Sequence, residues 1–260
     1  MGKRIKLHSF ESFGNIAILK LKKEERKKAK EIAKEIMKVN KNIESVFEKL
    51  KVKGRYRKRN FRFIAGKRKY IANYKENSCV FVFDIRKVYF SSRLSYERKR
   101  ISEGVKEGEN VLVLFAGVGP YAIEIAKKGK AKRVVAIELN KWACYYMRKN
   151  ILLNRVNVEV VQGDVKKKIF SFKDFADRIV APLPKSSYRF LKEIFFAAKN
   201  NCIVHYYSFC RKNRIEDVKK VIEEEAKKEK VKVNFIFERV VKGYSPKEDI
   251  VVVDFIVKKL

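Results

Sequence analysis

Apolar positions along this chain follow two periods, and between them they predict most of its elements. In residues 22 to 38, KKEERKKAKEIAKEIMK, Ala29, Ile32, Ala33, Ile36 and Met37 recur at helical spacing. The opposite face is charged and reads as a solvated side of an amphipathic helix. Val111 to Phe115 is instead a short, wholly apolar run of the buried-strand type, and Val134 to Ile137 is a second. Between them Gly117 and Gly119 permit a sharp turn and close approach of a ligand. Pro120 suits a first helical position, where a missing N–H costs little, and Ala122 to Lys128 continues as helix. The stretch reads strand, glycine turn, helix, strand. Glu138 sits at the carboxyl end of the second strand, where open α/β sheets hold ligands.

The same pattern continues downstream. Trp142 to Leu153 reads as helix and Val158 to Gln162 as a third strand, with Asp164 just past its end. Arg178 to Ala181 is a fourth strand running into Pro182-Leu183-Pro184, residues 187 to 198 are helical, and Cys202 to Ser208 is a fifth strand. Arg214 to Lys230 reads as helix. The segments 231 to 240 and 250 to 258 read as an antiparallel pair around GYSPKED. Five βα units closed by an antiparallel pair predict a seven-stranded, Rossmann-like class I methyltransferase domain, because the dinucleotide-binding fold has no such ending.

Upstream, residues 1 to 21 read as a hairpin turning at Ser12-Phe13-Gly14-Asn15, and Ser45 to Leu50, Phe61 to Ala65 and Cys79 to Ile85 are strand candidates. Ser95 is an expected N-cap for a helix ending near Gly104. The predicted organisation is a small α+β domain over residues 1–88, followed by the methyltransferase-like sheet domain over 89–260.

Charge narrows the partner. The chain has 64 Lys and Arg against 30 Asp and Glu, a formal net charge of +34. Ion-pair networks of thermophilic type need matching acids and leave this imbalance unexplained. A polyanion, most commonly nucleic acid, is the expected partner. In GRYRKRNFRF, residues 54 to 63, cations alternate with rings. Arg55 and Tyr56 there could grip phosphates and stack bases, or the stretch could be a twisted strand with snorkelling arginines. No run is long enough to span a bilayer, and the first residues carry no signal peptide. Four cysteines without a CxxC pair suggest a reducing, cytoplasmic setting and no metal site. Cys202, His205 and Cys210 read as core residues.

Gly117-x-Gly119-x-x-Ala122 with an acid about 20 residues on also satisfies the dinucleotide fingerprint, so an NAD enzyme stays open at this point. Pro120 weighs against it, because a pyrophosphate uses free N–H groups at the helix start. S-adenosylmethionine has no phosphate there, and Glu138 would accept from its ribose hydroxyls. Asp164 could accept from the adenine amino group or simply cap a helix.

Taken together, YFSSRLSYER at 89 to 98, LFAGVGPYAIEIAKK, HYYSF at 205 to 209, SFGNIAILKL, GRYRKRN and NYKENSCVFVFD resemble the archaeal tRNA (guanine-37 N1)-methyltransferase family, over most of the chain. Ser92 stands where that family usually has proline. Longer members carry a further amino-terminal domain that contacts the tRNA elbow, and this sequence starts after it. The usual Asn-Leu-Pro after the fourth strand is Pro182-Leu183-Pro184 here, which resembles the wyosine-linked archaeal subgroup, some of whose members also methylate C7 of 4-demethylwyosine. The resemblance implies S-adenosylmethionine as cofactor and the tRNA anticodon stem-loop as partner of a monomer. It implies Glu97 as the base for guanine N1 and Arg57 as donor to O6. Glu97 is flanked by Arg93, Arg98 and Arg100, which favour its ionised form. The implied cofactor set is Tyr89, Arg98, Phe115, Gly117, Glu138, Leu139, Asp164 and Pro182, and the implied substrate set Arg93, Pro184, Arg55 and Tyr56. A wyosine-pathway aminocarboxypropyl transferase and a non-catalytic tRNA-binding protein on the same scaffold are the alternatives.

Overall fold

The computed structural model describes residues 9–50 and 60–259. The chain divides into two compact units, Met1–Ser92 and Arg93–Leu260.

The first unit holds a four-stranded sheet in the order β1-β2-β3-β4. β1 (Phe10–Phe13) and β2 (Ile16–Leu19) form the expected hairpin, with Gly14 in the left-handed region at φ 59°. β3 (Ser45–Lys49) joins β2 in parallel, and β4 (Phe61–Gly66) pairs antiparallel with β3. α1 (Ala29–Val39) covers one face, burying Ala29, Ile32, Ala33 and Ile36 against Ala17, Leu19, Val46 and Ile64. The helix starts later than its charge pattern suggests. Glu25–Lys28 form a 3-10 turn, because apolar residues to bury begin only at Ala29. A separate hairpin pairs β5 (Ile71–Glu76) with β6 (Cys79–Asp84). The stretch 51–59, with Arg55, Tyr56 and Arg57, lies outside the described residues.

The second unit opens on α2 (Ser95–Glu103). Ser95 is its first helical residue and not its cap. Leu94 occupies the cap without a side-chain bond, since a 3-10 turn at Ser92–Leu94 leads straight into the helix. The sheet strands are β7 (Asn110–Leu114), β8 (Arg133–Glu138), β9 (Glu159–Gln162), β10 (Ala176–Ala181), β11 (Ala198–Arg211), β12 (Val231–Gly243) and β13 (Glu248–Lys259), in the order β12-β13-β11-β10-β7-β8-β9. β13 runs antiparallel to β11 and β12, and the other pairs are parallel.

Side chains alternate across a strand, so β7 feeds two cores. Leu112 and Leu114 pack with Val135, Ile137 and Ile179 under α5 (Val165–Lys168), α6 (Leu191–Ala197) and α7 (Ile215–Lys228). Val111 and Val113 pack on the other face under α2, α3 (Pro120–Lys128) and Met147 of α4 (Lys141–Asn154). Burial on both faces is why β7 reads as an unbroken apolar run. All four cysteines are buried and none forms a disulfide. Among the described residues no helix is long and apolar enough to cross a membrane.

Candidate functional site

The turn between β7 and α3 is the most conformationally demanding stretch of the sheet edge. Phe115, Gly117 and Gly119 have φ of 54°, 59° and 86°, all left-handed. Gly119 caps α3 and Pro120 takes its first position. A Cβ on Gly119 would lie 2.7 Å from Met147 Cγ, so α4 packs too closely for any side chain there. The ring of Phe115 meets Phe190 edge-on at 4.7 Å.

Glu138 faces this turn from the end of β8. Its Oε2 accepts from Gly117 N at 2.8 Å and its Oε1 from Asn140 N at 2.7 Å. A carboxylate oxygen has two lone pairs, so each retains one acceptor site. Two fixed acceptor sites beside a left-handed glycine turn suit a vicinal diol, and the absent N–H at Pro120 suits a nucleoside without a diphosphate. The donor set therefore fits S-adenosylmethionine. Leu139 is exposed next to Glu138. Asp164 caps α5, with Oδ1 accepting from Lys166 N at 2.9 Å, so one of its two oxygens is committed to the helix. Beyond β10, Leu183 N donates to Ala181 O at 3.0 Å, and Pro184 O accepts from Phe209 N at 3.2 Å, which ties the Pro182–Pro184 loop to β11.

Glu97 lies on the inner face of α2 and is 1% exposed. Its Oε2 accepts from Arg100 Nη2 at 2.9 Å and Nε at 3.1 Å, and from the Tyr207 hydroxyl at 3.2 Å. Its Oε1 accepts no hydrogen bond among the described residues and lies 3.3 Å from Arg239 Nη1. Of the three arginines flanking Glu97 in sequence, only Arg100 forms an ion pair with it. Arg98 turns inward to Glu124 at 3.3 Å, both buried, with its guanidinium 5.9 Å from the Tyr121 ring. Arg93 is exposed. Tyr89 belongs to the first unit and is exposed.

A buried polar chain extends from Glu97 across the sheet. Arg100 donates to Asp254 at 2.6 Å, and His205 Nδ1 lies 2.9 Å from the same carboxylate. Arg178 Nη1 is 2.8 Å from His205 Nε2. A guanidinium can only donate, so Nε2 is the acceptor and Nδ1 carries the ring proton toward Asp254. Arg178 also grips Glu109 at 2.7 and 3.0 Å and Gly104 O at 2.7 Å. Burial pushes His205 below its ordinary value in spite of Asp254. Burial opposes ionisation of Asp254, but the bonds and charges of His205 and Arg100 outweigh it and hold that carboxyl below the usual range. Arg178, His205, Tyr207 and Asp254 come from three strands; the sequence places Arg178, His205 and Tyr207 on strands, His205 in the core, and links none of them to Glu97. Cys202 and Cys210 are buried on β11 with His205. No group of three metal-ligating side chains occurs among the described residues.

Comparisons with known proteins agree with this fold. Residues 72–234 match the TRM5/TYW2 methyltransferase domain, and residues 4–69 match the TYW2 N-terminal domain. Trm5b of Pyrococcus abyssi, a tRNA (guanine(37)-N(1))-methyltransferase, is 37% identical, across 95% of this chain and 74% of its own. Its crystal structure superposes with a TM-score of 0.89 at 38% identity, covering 97% of this chain and 76% of that one. Taw21 of Saccharolobus solfataricus, a tRNA 4-demethylwyosine(37)-methyltransferase, is 34% identical over 86% of this chain and 84% of its own. TYW2 of M. jannaschii, solved in complex with AdoMet, superposes with a TM-score of 0.77 at 25% identity, covering 97% of this chain and 100% of that one.

Proposed function

Because this chain belongs to the TRM5/TYW2 methyltransferase family, we propose that it is an S-adenosylmethionine-dependent tRNA methyltransferase acting at position 37, beside the anticodon, and forming 1-methylguanosine there. The observation that carries the reading is the Gly117–Glu138 pairing at the β7–α3 turn, which leaves acceptor sites that suit a diol at the end of the sheet strands. Glu138 would hold the ribose, Asp164 the adenine edge, and Phe115, Leu139 and Pro182 the apolar surfaces of the cofactor. Bound there, S-adenosylmethionine supplies a methyl group activated by its sulfonium.

Guanine N1 carries a proton at neutral pH and is a poor nucleophile, so the site needs a base for that proton and a cation near O6. Glu97 is the proposed base, taking the proton at Oε1, the oxygen with acceptor capacity to spare. Of its charged partners, Arg239 is the more exposed, at 36% against 21% for Arg100. Displacing Arg239 would open Oε1 while Arg100 and Tyr207 keep the carboxylate in place. Arg57 is proposed as donor to O6. Arg93 and Pro184 are proposed to line the nucleotide pocket, with Arg55 and Tyr56 gripping the loop, and Tyr89 and Arg98 to support the cofactor. The target base must leave its stack to be reached.

A second activity is favoured by Pro182 in place of the usual asparagine, by the Taw21 relative and by the TYW2-type amino-terminal match. It is methylation of C7 of 4-demethylwyosine at the same position. The test is transfer of a labelled methyl group from S-adenosylmethionine to a G37 transcript and to tRNA carrying 4-demethylwyosine. Glu97→Ala is expected to abolish most turnover on G37 while cofactor binding persists. Unchanged turnover removes Glu97 as the base. A mass gain larger than one methyl on the wyosine precursor would point to aminocarboxypropyl transfer.

A further inference from the structure

In the first unit a carboxylate is fully buried beneath two arginines that reach the surface. Glu48 on β3 is 0% exposed. Arg26 Nε binds its Oε1 at 2.8 Å, and Arg62 Nη2 lies 2.6 Å from its Oε2. Arg62 is the cross-strand partner of Glu48, and Arg26 comes from the 3-10 turn before α1. The two guanidiniums therefore sit one on each oxygen of a single carboxylate. Their side chains remain 44% and 48% exposed.

A buried carboxylate is a costly way to fill the end of a sheet, and an apolar residue of similar size would usually hold the fold as well. What the carboxylate does achieve is orientation. It holds two planar, permanently charged guanidiniums, one at each of its oxygens. Each guanidinium has five N–H donors; Glu48 accepts a hydrogen bond from Arg26 and holds Arg62 as an ion pair. Both guanidinium side chains are part-exposed, and with Glu48 they carry a local net charge of one positive. Lys22, Lys23, Lys27 and Lys28 flank them and are exposed, against Glu24 and Glu25. Paired guanidiniums held in a fixed fork are matched to the oxygens of a phosphate, and pre-orienting them lowers the ordering cost on binding.

We propose that Arg26 and Arg62, set by Glu48, form a phosphate clamp for the RNA backbone of the tRNA substrate. This rests on the tRNA reading above. Arg62 lies within the stretch 54 to 63, whose alternating cations and rings could grip phosphates and stack bases, so the clamp would take a phosphate near the loop that this stretch engages.

The test uses the full chain and a G37 transcript, with binding measured across a salt series. Arg26→Gln/Arg62→Gln is expected to weaken binding several-fold at about 0.1 M salt and to lower the slope of log K against log salt by about 1. Lys34→Gln/Lys38→Gln, which removes the same charge from exposed positions of the same unit, should leave the slope near wild type. Glu48→Gln separates orientation from charge. Charge alone predicts tighter binding, because a negative group is lost, whereas the clamp predicts weaker binding. Thermal unfolding and cofactor affinity, measured alongside, show that each variant is folded. Slopes for the arginine pair that match the lysine control, or tighter binding by Glu48→Gln, overturn the clamp while leaving methylation at position 37 intact. Wild-type protein that neither binds nor methylates the transcript overturns both.

Discussion

Tyr207 on β11 donates its hydroxyl to Oε2 of Glu97 on α2 at 3.2 Å, while accepting from Tyr121 of α3 at 3.0 Å. Burial pushes Tyr207 well above its ordinary value, so its proton stays on and it remains a donor. The pair fastens the helix carrying the proposed base to the sheet and fixes which carboxylate oxygen is occupied. Tyr207→Phe leaves Glu97 and Tyr121 short of a buried partner, a loss of about 1–3 kcal/mol. Denaturant unfolding should show that loss, and single-turnover methylation should slow with cofactor affinity unchanged. Unaltered stability and rate would contradict the coupling.

His205 predicts an acid-side loss of stability. It is held neutral by burial and by Arg178, with a folded value below its ordinary one of about 6.5. The unfolded chain takes up a proton near that pH and the folded chain does not, so stability rises with pH through this window. It is full above about pH 6.5 and is eroded as pH falls from there, at up to about 1.4 kcal/mol per unit. Asp254, whose folded value is depressed, adds a separate loss only as pH falls below about 4. Urea midpoints between about pH 5 and 7 should decline in the wild type and flatten in His205→Asn.

Gly119→Ala tests the turn. The left-handed φ of 86° and the approach to Met147 Cγ at 2.7 Å both resist a side chain. A non-glycine residue held there costs about 1–3 kcal/mol, before the overlap is relieved. The expected outcome is a lowered unfolding midpoint together with weaker cofactor binding. An unchanged midpoint would mean that α4 is not packed as described.

Glu138→Ala removes both proposed ribose acceptors and frees Gly117 N and Asn140 N. Hydrogen bonds to a charged group contribute about 1.5–3 kcal/mol. Calorimetry should find S-adenosylmethionine bound at least tenfold more weakly, with the fold retained. Equal affinity would remove Glu138 from the cofactor site.

Much of the second unit was legible because its signals are local. Val111 to Phe115, the glycines at 117 and 119, Pro120 and Glu138 lie within one βαβ stretch, and their places on strand, turn and helix follow from spacing alone. β5 escaped because Ile71–Glu76 mixes exposed Asn73 and Lys75 with buried Ala72 and Glu76, so its alternation does not separate apolar from polar. β11 is longer than its apolar run, Cys202 to Ser208, predicts because it begins in the polar run AKNN. The chain from Glu97 through Arg100 and Asp254 to His205 and Arg178 had no sequence signature, since pairing across β10, β11 and β13 creates it. The same holds for Arg26, Glu48 and Arg62. For Asp164 the reading left cap and ligand open, and the cap is present.

Mass analysis of nucleosides from two transcripts tests the central claim most directly. Both would be incubated with this protein and S-adenosylmethionine, one carrying G37 and the other A37 in an otherwise identical tRNA. Methylation at position 37 predicts a gain of one methyl, matching 1-methylguanosine, in the G37 transcript alone. An equal gain in both, or none in either with cofactor bound, would contradict it.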